Sequence, residues 1–138
     1  MIAKAATISH GGNAVRYSVN KDKAEIVKVN FLPDDISAEA MYQRMVLKQK
    51  EFASTINKGR PLKRNVIRME ISPTKEESVG WALDDWVRLA NEYIQVFDSI
   101  NLSKKVKRAS AKSTNVKNSQ YVVALHHDAK SGILHLHI

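Results

Sequence analysis

Apolar residues recur along this chain with two different periods, and each change of period marks an element. Residues 2–9 form a first extended segment, which Gly11-Gly12 interrupt. Asn13 is placed to cap a short helix holding Ala14, Val15, Tyr17 and Ser18. Residues 24–31, rich in Val and Ile, read as a second strand, closed by the turn Pro33-Asp34-Asp35. From Ser37 to about Asn57 the period is helical. Ala38, Met41, Tyr42, Met45, Phe52 and Ile56 make one stripe, Ser37 caps it, and Gly59 and Pro61 end it.

From Asn65 to Ile71 the pattern alternates, with Val66, Arg68 and Glu70 on one face and Ile67, Met69 and Ile71 on the other. Thr74-x-x-Glu77 is a capping-box signature. It predicts a long amphipathic helix carrying Val79, Ala82, Leu83, Trp86, Val87, Ala90, Tyr93, Ile94 and Phe97, with the aromatic residues in the core stripe. Residues 101–118 are a basic connection. Tyr121 to His127 and Ile133 to Ile138 read as two strands joined through Ser131-Gly132, hence a hairpin. The expected fold is a single α+β domain over residues 1–138, with a mainly antiparallel sheet flanked by helices.

Composition narrows the chemistry. The chain has no cysteine, so disulfides and thiolate metal sites are excluded and any metal takes nitrogen or oxygen ligands. No apolar run is long enough to span a membrane and no secretory pattern opens the chain, so a soluble cytoplasmic protein is expected, with no membrane partner. The formal charge of +8 favours a polyanionic partner, nucleic acid first. Lys104, Lys105, Lys107, Arg108, Lys112 and Lys117 lie in a stretch between Asp98 and Asp128 without an acidic residue, and a second cluster is Lys58, Arg60, Lys63 and Arg64. As charge alone these are two solvated loops or a phosphate-backbone track. A metal site nearby favours the track.

The last thirteen residues hold four of the five histidines. His135 and His137 bracket Leu136, so on a strand both imidazoles share one face. Parity along the preceding strand puts His126 and Asp128 on one face and His127 on the other. In a hairpin, His126 can therefore join His135 and His137. Three neutral imidazoles leave open positions on a divalent ion. Asp128 is then a natural acceptor for a ligand ring N–H, or reaches the metal itself. A bulge would exchange His126 for His127. His10, beside the glycine pair, reads as a loop residue.

His135-Leu136-His137, preceded by His126-x-Asp128, resembles the third motif of relaxases, the mobilisation nucleases of the HUH endonuclease superfamily. Ala14-Val15-Arg16-Tyr17, followed by Lys21-Asp22-Lys23-Ala24, resembles their first motif, which carries a nucleophilic tyrosine. The strand ending Ile71-Ser72-Pro73 before a helix fits the same layout. The resemblance implies an HUH-like fold and a metal-dependent transesterase. Tyr17 would attack a scissile phosphate in single-stranded DNA at a transfer origin, giving a 5′-phosphotyrosyl enzyme and a free 3′ hydroxyl. A phenol with a pKa near 10 needs help to act as a nucleophile at neutral pH. A divalent ion on His126, His135 and His137 would neutralise charge on the phosphate and orient it for in-line attack. Mg2+ or Mn2+ suits the phosphate, while three nitrogen ligands suit Zn2+.

Tyr17 is flanked by Arg16, Ser18 and Lys21, a basic setting in which a phenol can meet DNA. Tyr42 and Tyr93 lie in apolar stripes, and Tyr121 has the opposite parity to His126. Relaxase domains continue well past this motif, so the resemblance also implies a domain truncated at its C-terminal end, its last strand left as an unpaired edge. Accessory mobilisation and coupling proteins are the partners it implies; the oligomeric state stays open. Three other readings compete: a replication-initiator or transposase nuclease, whose tyrosine usually follows the histidine pair; a non-catalytic nucleic-acid-binding module with structural histidines; and a metallohydrolase of another type.

Overall fold

The computed structural model describes residues 1–55, 58–104, 112–127 and 129–138. It is α+β. Strand β1 (Ile2–Ile8) leads into helix α1 (Gly11–Asn20), then β2 (Ala24–Asn30), α2 (Ala38–Thr55), β3 (Val66–Ser72), α3 (Leu83–Ser99), β4 (Tyr121–His126) and β5 (His135–His137). The five strands form one sheet in the order β1-β3-β5-β4-β2, and every neighbouring pair is antiparallel. The expected hairpin of β4 and β5 forms. Strand β5 is not an edge, contrary to the sequence expectation. It lies between β3 and β4, so the last strand has neighbours on both sides.

Alternation along the strands divides the core into two layers. Met69 and Ile71 of β3, Tyr121, Val123 and Leu125 of β4 and Leu136 of β5 pack with Trp86, Ala90 and Ile94 of α3. On the opposite face, Val122 packs with Val15 of α1 and with Ala38, Met41 and Met45 of α2. The side chains of His126, His135 and His137 alternate with Leu125 and Leu136, which places them on this second face, beneath α1.

Helix α1 seats deeply because it opens with two glycines. A Cβ on Gly11 would stand 2.5 Å from Val66 Cγ2 and 2.9 Å from Tyr42 Cε2, so only glycine permits this approach. Helix α2 is held to the start of β3 by Gln49, whose Nε2 donates to the Asn65 carbonyl at 2.8 Å.

Several local expectations are corrected. Helix α1 begins at Gly11, with His10 rather than Asn13 in the N-cap position. Asn13 instead accepts from Arg16. The Thr74 capping box does form, since Thr74 N–H donates to Glu77 at 2.7 Å and Glu77 N–H to the Thr74 hydroxyl at 3.2 Å. It closes only a turn. Gly80 then takes a left-handed φ of 74°, Asp85 accepts the Ala82 N–H at 2.9 Å, and α3 starts afresh at Leu83. Val79, expected in the helical stripe, is 77% exposed. Phe52 and Ile67 are also exposed rather than core, and Ile56 lies outside the described residues. Among the described residues, no helix is long and apolar enough to cross a membrane.

Candidate metal centre

The register of the β4–β5 hairpin builds the site. His126 pairs directly with His135, and Ala124 with His137, so the three imidazoles meet on one face. Ring centroids are 4.3 Å apart for His126–His137, 5.1 Å for His135–His137 and 5.3 Å for His126–His135. One ligand atom from each lies within 4.8 Å of the others. His127 faces solvent, its Nε2 3.8 Å from Glu25, and takes no part. Asp128 lies outside the described residues.

Hydrogen bonds choose the tautomers. The Nε2–H of His126 donates to the Ser18 carbonyl at 2.9 Å, which leaves the lone pair on Nδ1. His135 Nδ1–H donates weakly, at 3.5 Å, to the Ile133 carbonyl, which leaves Nε2. His137 is 4% exposed, and among the described residues neither of its ring nitrogens has a hydrogen-bond partner. Burial, followed by the charges of His126, His135, Arg68 and Lys21, pushes its pKa down to about 3. At neutral pH the ring is uncharged and offers a lone pair. A cluster of three imidazoles, one of them buried with both ring nitrogens unsatisfied among the described residues, fits a divalent metal ion.

Tyr17 stands over this cluster. Its ring centroid is 5.5 Å from that of His126 and 5.4 Å from that of His137. Tyr17 is 46% exposed, so the residue is open to solvent. One turn on, Lys21 places its ammonium at hydrogen-bond distance from the phenol oxygen, 2.5 Å, and 4.2 Å from the ring centroid. Arg16 points elsewhere, its guanidinium engaged by Glu39 at 3.0 Å.

The basic connections lie at the other end of the sheet from His126 and His135. Lys58, Arg60, Lys63 and Arg64 precede β3, whereas Lys104, Lys112 and Lys117 precede β4; all are exposed. Asp98 anchors the second connection, accepting from the Thr114 hydroxyl at 2.6 Å and from the Val116 and Lys117 amides. Burial works to raise the Asp98 pKa, but these hydrogen bonds outweigh it and hold the carboxyl below its ordinary value. Lys105, Lys107 and Arg108 lie outside the described residues. A cleft of about 790 Å3 starts between the two connections, with Leu62, Asn118 and Gln120 in its walls, and reaches Arg68 and Ser18 beside the histidines.

Sequence reasoning passed over two residues on the histidine face. Arg68 and Glu70 belong to β3, and Glu70 is paired with His137. Their alternation with Met69 and Ile71 marked them only as solvent-facing; the placement of β3 next to β5 gives them their position.

No family profile, no curated protein and no solved structure matches the chain.

Proposed function

We propose that this chain carries the nicking chemistry of a relaxase: metal-dependent cleavage of single-stranded DNA by tyrosine transesterification, on an HUH-like scaffold. The observation that carries the reading is the packing of Tyr17 against His126 and His137. A phenol in that position is the nucleophile, and the histidines hold a divalent ion, Mn2+ or Mg2+, with Zn2+ as the alternative fitting the nitrogen donors. The ion, when bound, supplies Lewis-acid neutralisation of phosphate charge.

The chain's own residues supply the rest. The Tyr17 oxygen attacks phosphorus as the P–O3′ bond breaks, leaving a 5′-phosphotyrosyl linkage. The phenol proton is lost and the departing 3′ oxygen gains one. Lys21, already donating to the phenol oxygen, favours negative charge there and then meets the phosphate. Arg68, on the rim beside His137, is placed for an adjacent phosphate. The basic connections and the cleft between them give the DNA strand a track toward the centre.

The test uses the chain, a random pool of end-labelled single-stranded DNA and Mn2+, with a chelator control. The expected result is a denaturant-resistant protein–DNA adduct that maps to Tyr17 and is absent in Tyr17→Phe, while DNA binding is retained. An adduct that persists in Tyr17→Phe sinks the assignment. Salt-sensitive binding by the wild type without any adduct favours the non-catalytic nucleic-acid-binding reading.

A further inference from the structure

Two of the three candidate ligands have an acceptor for their second ring nitrogen, and the third has none. His126 donates to the Ser18 carbonyl and His135 to the Ile133 carbonyl. His137 is buried, and both its ring nitrogens lack a hydrogen-bond partner among the described residues. A neutral imidazole carries one N–H. When its lone pair is given to a metal, that N–H stays buried, and leaving it unsatisfied keeps the full penalty of stripping it of water.

The sheet register supplies a carboxylate at this point. Met69 and Ile138 exchange both backbone hydrogen bonds, at 2.9 and 3.0 Å. The adjacent pair, Glu70–His137, is therefore the non-hydrogen-bonded kind, in which the Cα atoms are about 4.5 Å apart and the side chains closest. Both side chains project from the same face. Glu70 is half-buried and makes no hydrogen bond or ion pair among the described residues. The carboxylate-bearing and imidazole-bearing side chains are therefore nearest neighbours across this strand pair.

We infer that Glu70 is the positioning residue of the metal centre, accepting the ring N–H of His137 when that histidine ligates a divalent ion. This rests on the metal centre proposed above. The pairing of Glu70 with His137 fixes the ring's tautomer and orientation and raises its strength as a donor. It also sets one negative charge beside a site otherwise rimmed by Lys21 and Arg68.

Calorimetric titration with Mn2+ and Zn2+ on the wild type, Glu70→Ala and Glu70→Gln tests it. Glu70→Ala is expected to bind about 10–100-fold more weakly. Glu70→Gln, whose amide oxygen still accepts an N–H, stays within a few-fold of wild type. In the Zn2+-loaded protein the His137 ring N–H resonance is expected in the wild type and Glu70→Gln, and lost to exchange in Glu70→Ala. Wild-type affinity in Glu70→Ala overturns the inference alone. Equal weakening in both variants also overturns it, since the carboxylate then ligates the metal directly. No metal uptake by the wild type overturns the proposed centre itself.

Discussion

The Nε2–H of His126 donates to the backbone carbonyl of Ser18, the residue next to Tyr17. One hydrogen bond thus fixes the tautomer of a candidate metal ligand and the height of the helix that carries the candidate nucleophile. Strand β4 and helix α1 are registered to each other at the point where the chemistry would occur.

Metal uptake discriminates among the histidines. His137→Ala is expected to weaken Mn2+ or Zn2+ binding by at least about 100-fold, because it removes one of three ligands. His127→Ala, which alters only a solvent-facing ring, leaves binding unchanged. Calorimetry on the two variants checks this; equal effects would mean that the cluster is not the site.

The buried His137 makes the metal-free protein sensitive to acid. Its folded pKa of about 3 lies below the ordinary 6.5. Between these values the unfolded chain holds a proton that the folded chain refuses, so folding stability falls as pH drops through that window. The loss is bounded at about 1.4 kcal/mol per pH unit for one group, and above the ordinary value the contribution is fully present. Urea midpoints measured in chelator from pH 7 to 4 follow this slope, and His137→Gln flattens it. A wild-type curve no steeper than the variant's would remove the assignment.

The glycine at the start of α1 controls where Tyr17 stands. Gly11→Ala forces a Cβ against Val66 and Tyr42 and is expected to cost about 1–3 kcal/mol. Because α1 must lift, adduct formation drops further than metal affinity does. Thermal melts together with metal titration and the adduct assay separate the two effects. A variant with wild-type adduct yield would show that the tight seat of α1 is irrelevant to the site.

Lys21 contributes charge rather than packing. Lys21→Met keeps much of the apolar stem and is expected to slow adduct formation about 10–100-fold while metal affinity holds, because one charge-assisted interaction is missing from the transition state. Single-turnover rates with saturating DNA report it. Unchanged rates would leave the Lys21–Tyr17 pair without a catalytic part.

The basic connections are expected to act on affinity alone. Converting Lys58, Lys63, Lys112 and Lys117 to Gln weakens single-strand binding and lowers the steepness of its salt dependence by about 0.7 for each phosphate that is no longer neutralised. A slope identical to wild type would take these side chains off the DNA path.

Much of the site was legible because it depends on local parity. His-x-His on a strand, with His126 of matching parity across a short connection, brings three rings together wherever that hairpin forms. Glu70 and Arg68 were not legible, since their role depends on β3 lying next to β5, a pairing between segments far apart in sequence. The failure at Thr74 was of another kind. Its capping box is real, but Gly80 in a left-handed conformation stops the turn before the apolar stripe of α3 begins. The basic tracts were visible as charge, yet only the strand order shows that both emerge at one end of the sheet.

Strand β5 is translated after both of its neighbours and yet lies between them. Until it inserts, β1-β3 and β4-β2 are separate ribbons, and closing the sheet requires pairings of long sequence separation, the slow kind in folding. His135 and His137 ride on that strand. An ion captured by them together with His126 therefore binds the chain in which β5 has paired with β4 and not the chain in which β5 is detached, and by mass action the ion becomes a folding cofactor. Metal starvation would then show first in the lifetime of the protein, through proteolysis of the open form, before it shows in the proposed cleavage of DNA.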